Sequence, residues 1–127
     1  KIAENHDPQE PPSIIRWSTF KQAMRSEGLT LQTTRLGKLE GFLFIEFLVK
    51  SDSKCEFRPE SVWLTQNKKI RPIHGLYLSA SEINEKKPIT GILQLQSKDL
   101  DPTLPLTLEL RRKNTSFLTI KKPREWK

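Results

Sequence analysis

The sequence predicts a mainly β protein: an antiparallel β-sandwich of about seven or eight short strands with one short N-terminal helix. Three observations carry that expectation. From Leu104 the chain alternates Leu104, Leu106, Leu108 and Leu110 with Pro105, Thr107, Glu109 and Arg111, the two-residue period of a strand with one buried face. A polar stretch, Arg111–Ser116, then leads into Phe117–Lys121, so the two runs read as a β-hairpin with a cationic tip. Turn signals also recur along the chain at the short intervals of sandwiches. A small closed barrel is the second choice of architecture.

Taken in order, residues 1–12 are polar, carry three prolines and have no apolar period, so they read as an extended linker or arm. A single sandwich domain is expected over 13–122, and 123–127 reads as a basic tail. Ser13 resembles a helix cap, Trp17, Phe20 and Met24 follow at helical spacing, and Gly28 stops the run. That pattern predicts a helix near 14–26. An edge strand over Ile14–Phe20 competes with it, because β-branched and aromatic residues are frequent there.

From Leu29 the reading is all β. Leu29–Thr34 forms a strand closed by a turn around Gly37. Phe42–Val49 is nearly all apolar, interrupted by Glu46, so it reads as a central strand covered on both faces. Ser51–Lys54 is turn chemistry. Strands are expected around Cys55–Phe57, Ser61–Thr65 and Lys69–Ile73, with a turn at Gln66–Lys68. Gly75–Lys87 reads as a long connection with a helical or 3-10 piece near Ser81–Asn84. Ile89–Gln96 alternates and is another strand, and Ser97–Thr103 is a polar loop.

At 127 residues the chain is one domain by length, large enough for one core without staples. No apolar run approaches the roughly 18 residues of a membrane helix. The single cysteine, Cys55, has no intrachain partner for a disulfide, which suits a reducing compartment or an exported domain needing no bridge. The first residue is Lys1, so a signal peptide or lipid anchor upstream is compatible with the sequence.

Charge is asymmetric. Residues 1–60 carry nine Lys/Arg and nine Asp/Glu, whereas 61–127 carry thirteen and six, which accounts for the whole net charge of +7. Such a half suggests an anionic partner or a solvated face. The candidate partner-binding residues are therefore Lys68, Lys69, Arg71, Arg111, Arg112 and Lys113. Lys86, Lys87 and the tail are further basic groups.

Catalytic chemistry is thinly supplied. A Cys55/His74 pair has the types of a nucleophile and base without a local signature, and a lone strand cysteine is usually a small core residue. No catalytic residue, cofactor or metal is expected. Zinc would need closely spaced Cys/His pairs. Asp99-Leu100-Asp101 lacks the glycine and the oxygen count of a calcium loop. The five glycines are isolated, so there is no phosphate loop. Asn114-Thr115-Ser116 matches a glycan acceptor, relevant only to a eukaryotic secreted chain. Trp63, in Val62-Trp63-Leu64, reads as a core anchor, and Trp17 as packing the helix on the sheet. Trp126 lies in the basic tail, as a docking aromatic or the boundary of a longer protein. Phe42, Phe44 and Phe47 alternate with aliphatics rather than lysines, unlike an RNA-stacking face.

The order of features resembles that of bacterial exported immunoglobulin-like domains, including the telokin-like domains of lipoproteins. A strong strand, Phe42–Val49, precedes a polar turn at Lys50–Ser53. Phe57-Arg58-Pro59 introduces Ser61–Asn67, Lys69–Ile73 follows, Pro88–Leu95 carries a glycine inside an alternating strand, and Leu106–Leu110 closes the order. The resemblance covers about 90 residues, is one of spacing and residue class, and omits the Trp17 helix and the basic tip. It implies an immunoglobulin-like sandwich without enzymatic activity that binds or scaffolds in the periplasm or outside the cell. Membrane anchoring upstream of Lys1 is compatible with it. The implied partner is a protein of an envelope assembly such as a secretion machine or pilus, met through sheet edges or the basic end. The alternative is a nucleic-acid-binding β domain using the basic C-terminal half.

Overall fold

The structure, a computed structural model, describes residues 15–26, 28–83, 87–111 and 115–120. Among them eleven strands follow one another: β1 (Arg16–Ser26), β2 (Leu29–Leu39), β3 (Phe42–Ser51), β4 (Cys55–Glu56), β5 (Val62–Gln66), β6 (Lys69–Ile70), β7 (Gly75–Leu78), β8 (Glu82–Ile83), β9 (Ile89–Gln96), β10 (Leu106–Arg111) and β11 (Thr115–Ile120). A five-stranded sheet has the order β1-β2-β3-β9-β7 and a four-stranded sheet the order β11-β10-β5-β6. The pair β4-β8 forms a small third sheet. All the pairings are antiparallel.

Both large sheets contribute to one buried cluster. Leu31, Leu43, Ile45, Phe47 and Val49 enter it from β2 and β3, and Ile89, Leu93 and Leu95 from β9. Val62, Leu64, Leu106, Leu108 and Leu110 enter from the four-stranded sheet. The expected terminal hairpin is present, with Leu106 opposite Ile120 and Arg111 opposite Thr115. Its leucines at 106, 108 and 110 are fully buried, and alternation puts Thr107, Glu109 and Arg111 on the other face.

β3 lies at the centre of its sheet, as the apolar run 42–49 predicts. Its odd residues face the main core. Its even residues face outward, where Phe44 is nevertheless fully buried. The Trp17 ring lies 6.3 Å from Phe44, and Phe42 6.4 Å. Gly37 makes this close fit possible, since a Cβ there would stand 2.3 Å from Ile15 Cγ2 and 2.9 Å from Trp17.

The helix expected over 14–26 is not formed: residues 16–26 are the edge strand β1. This edge of the sheet carries a register shift. Between Thr19 and Gln22 β1 advances three residues while β2 advances two, from Arg35 to Thr33. Over the same step β3 advances only one, from Glu46 to Phe47. Each strand nearer the edge thus carries one more residue, a β-bulge stacked on a bulge. β2 changes phase there, Arg35 facing outward and Thr33 inward, whereas β1 advances by an odd number of residues and keeps its phase. Trp17 and Phe20, three apart, therefore lie on opposite faces of the strand, Trp17 against Phe44 and Phe20 against the main core, rather than on one face of a helix. Thr33, fully buried, fills the bulge, its Oγ1 accepting from the Gln22 N–H at 3.0 Å.

The connection over 75–87 is also more regular than the sequence suggests. Gly75–Leu78 pairs with β9, and Glu82–Ile83 pairs with Cys55–Glu56 where a helical piece was expected. Ile83 is fully buried, which fixes that short strand. The strand expected over Lys69–Ile73 keeps only its first two residues as strand, and Pro72 has no N–H to extend a ladder. Asn67 and Lys68 have φ of 50° and 67°, the left-handed pair of a two-residue hairpin turn. Gln66, fully buried, bridges to the loop before β10. Its Nε2 donates to the carbonyls of Asp101 at 2.8 Å and Leu104 at 3.2 Å, and its Oε1 accepts from the Asp101 N–H at 2.9 Å.

Candidate partner-binding face

The basic residues singled out in the sequence do not all converge. Lys68 and Lys69 are exposed at the β5–β6 turn. Arg71 is half-buried beside β5, its N–H donating to the Leu64 carbonyl at 2.8 Å, and its Nε is buried without a hydrogen-bond partner. Arg111 ends β10, next to Leu110, which pairs with Val62 at the far end of β5. At about 3.3 Å per residue, the length of β5 sets Arg111 roughly 15 Å from the Lys68 turn. Arg112, Lys113 and the glycan-acceptor Asn114 lie outside the described residues, as do the arm 1–12, the tail 123–127, Lys86 and Trp126.

Between these two ends lies the outer face of the four-stranded sheet. Val62 and Leu64 point into the core, so Trp63 and Thr65 point out. Trp63 is half-buried and opposite Glu109 in register, so it is not the core anchor its apolar neighbours suggest. The Arg111 guanidinium stacks over its ring at 4.5 Å, a cation–π contact. Arg111 Nε also donates to Glu109 Oε1 at 3.1 Å, while Glu109 Oε2 accepts from Thr65 Oγ1 at 2.7 Å. Ile70 pairs with Thr65 on the same face. At 55% exposure it is, among the described residues, the one large apolar side chain left mostly in solvent.

The same four residue types meet on the outer face of the five-stranded sheet. There Arg35 stacks over Trp17 at 3.9 Å. Its Nε and one terminal nitrogen donate to Glu46 at 2.9 and 3.0 Å. Thr34 Oγ1 donates to Glu46 Oε1 at 2.6 Å. The charge that interrupts the apolar run 42–49 is thus held by a bidentate guanidinium. The two clusters differ in what surrounds them. Trp17 closes over buried Phe44, whereas Trp63 lies on a face that also carries exposed Ile70.

Among the described residues no three His, Cys, Asp or Glu side chains come together to hold a metal ion. The His74 ring packs 5.3 Å from Phe42, and Cys55 is paired in β4 with Ile83. No helix of the described residues is long and apolar enough to cross a membrane.

Trp63, Ile70 and Glu109 were not among the residues that charge alone picks out. Their signal was the two-residue period itself, because a strand that buries Val62 and Leu64 must turn Trp63 outward. No protein-family model matches this chain, and no curated protein shows significant similarity to it.

Proposed function

We propose that this chain is a non-enzymatic binding domain, an immunoglobulin-like β-sandwich of an exported bacterial envelope protein, acting in the periplasm or outside the cell. Its partner is a protein of an envelope assembly, met through the outer face of the four-stranded sheet. The observation that carries this reading is the Trp63–Arg111 stack beside exposed Ile70. Tryptophan and arginine supply most of the large energies in protein interfaces, and a rim of charge such as Lys68 and Lys69 speeds and orients encounter.

A face is favoured over an edge for a physical reason. The longest edge, β1, carries the stacked bulge, with Lys21 in it and Arg16 and Arg25 exposed along the strand. Bulges and cations on an edge oppose strand addition. The exported location rests on the resemblance in the order of sequence features alone, and the immunoglobulin-like type on that resemblance together with the two antiparallel sheets sharing one core.

The test is site-specific photocross-linking in the source cells, with the cross-linker at position 70 and a control at exposed Lys50 on β3. The expected result is a discrete protein adduct from position 70 alone. Adducts of equal yield from both positions, or an adduct containing nucleic acid, would overturn the proposal.

A further inference from the structure

At one end of the molecule the β2–β3 hairpin turn and the loop between β9 and β10 flank an open cavity of about 760 Å³. That is the size of a small-molecule site. Its apolar lining is Leu39, Phe42, Leu43, Leu100 and Pro102. Two cations, Arg16 and Lys38, stand on its sheet wall, and they are direct cross-strand partners. Lys38 also pairs with Leu43, a core residue, so both cations stand on the core-facing side of the sheet. Like charges directly opposite one another destabilise a sheet, and no ion pair among the described residues relieves either one.

The lining also holds two carboxylates. Glu40 is exposed at the hairpin turn. Asp101 Oδ1 accepts from the Thr103 N–H at 2.9 Å and its hydroxyl at 2.6 Å.

We infer that this cavity binds an amphipathic anion, a single acidic head on an aliphatic tail, with the head between Arg16 and Lys38 and the tail along Leu43, Leu100 and Pro102. An acidic head between the two cations converts their repulsion into attraction. The apolar lining gives the tail a surface that a hydrophilic anion would not use. The ligand need not be the protein partner proposed above, and the two proposals stand or fall separately.

The test is calorimetric titration of the full chain with dodecanoate below its micelle concentration, with acetate and dodecyltrimethylammonium as controls. Amide NMR shifts locate the site. The expected result is saturable one-site binding of dodecanoate, with shifts at Gly41, Leu43 and Leu100. The Arg16→Gln/Lys38→Gln pair should weaken it at least tenfold, and neither control should saturate. The same pair should melt no lower than the parent, because it removes a repulsion. Lys38→Glu, which places opposite charges across the two strands, should raise the melting temperature and abolish dodecanoate binding. The inference fails if dodecanoate shows no saturable binding up to about 1 mM. It also fails if the cationic analogue binds equally well, if the shifts map elsewhere, or if folded charge variants bind like the parent.

Discussion

Gly91→Ala places one methyl group where the register of β3 and β9 leaves no room for it. Gly91 lies directly opposite Phe47, and a Cβ built on it would stand 2.2, 2.6 and 2.8 Å from Cζ, Cε1 and Cε2 of the Phe47 ring. Carbon atoms at best separation are about 3.5–4.0 Å apart, so the ring must retreat by more than about 1 Å. It has nowhere to go, because Phe47 is fully buried and β3 is the central strand of its sheet. Overpacking of this kind costs about 1–3 kcal/mol, and the overlap with a ring rather than a flexible chain end puts the cost in the upper part of that range. The assay is urea denaturation, in which the midpoint should fall with an unchanged slope. Phe47→Leu removes the obstructing ring end. In a double-mutant cycle Gly91→Ala should therefore cost less on the Phe47→Leu background, with a coupling of about 0.5–3 kcal/mol. A Gly91→Ala protein as stable as the parent, or strictly additive effects, would refute the pairing of these residues and the packing built on it.

The remaining predictions concern other parts of the same frame. Leu108→Ala removes a fully buried side chain from an interior strand of the hairpin's sheet and should cost about 2–5 kcal/mol in a thermal or chemical melt. Gln66→Ala strips three hydrogen bonds from the loop before β10. Each buried group left unpaired costs about 1–3 kcal/mol, so the melting temperature should fall and amide exchange at Asp101 should accelerate. Lys68→Gly relieves a left-handed backbone at φ 67°. It should stabilise the protein by about 0.5–1 kcal/mol, read as a raised denaturation midpoint.

What the sequence disclosed followed from local periodicity. The leucines of 106–110, the apolar run 42–49 and the alternation of 89–96 each specify a strand without reference to the rest of the chain. The N-terminal strand was hidden because both its faces carry large apolar residues, Trp17 on the outer face and Phe20 and Met24 on the core face, so the three together imitate the spacing of a helix. The stacked bulge is a relation among three strands and is not written in β1 alone. Likewise β4 and β8, two residues each, exist only by pairing across 27 residues of chain, Cys55 with Ile83. At the candidate site, charge picked out Lys68, Lys69, Arg71 and Arg111 but not their separation along β5. Glu109 and Trp63 meet by register between strands that are 46 positions apart in the chain, and so do the ring and guanidinium that now define the face.

The two Trp–Arg–Glu–Thr clusters supply a matched control for the central claim that the partner docks on the four-stranded sheet. With the cross-linker at position 70, the adduct is measured for Trp63→Ala and for Trp17→Ala, each verified as folded by its melt. The adduct should be lost in Trp63→Ala and kept in Trp17→Ala. An adduct that survives Trp63→Ala, or one that disappears equally in both, would contradict it.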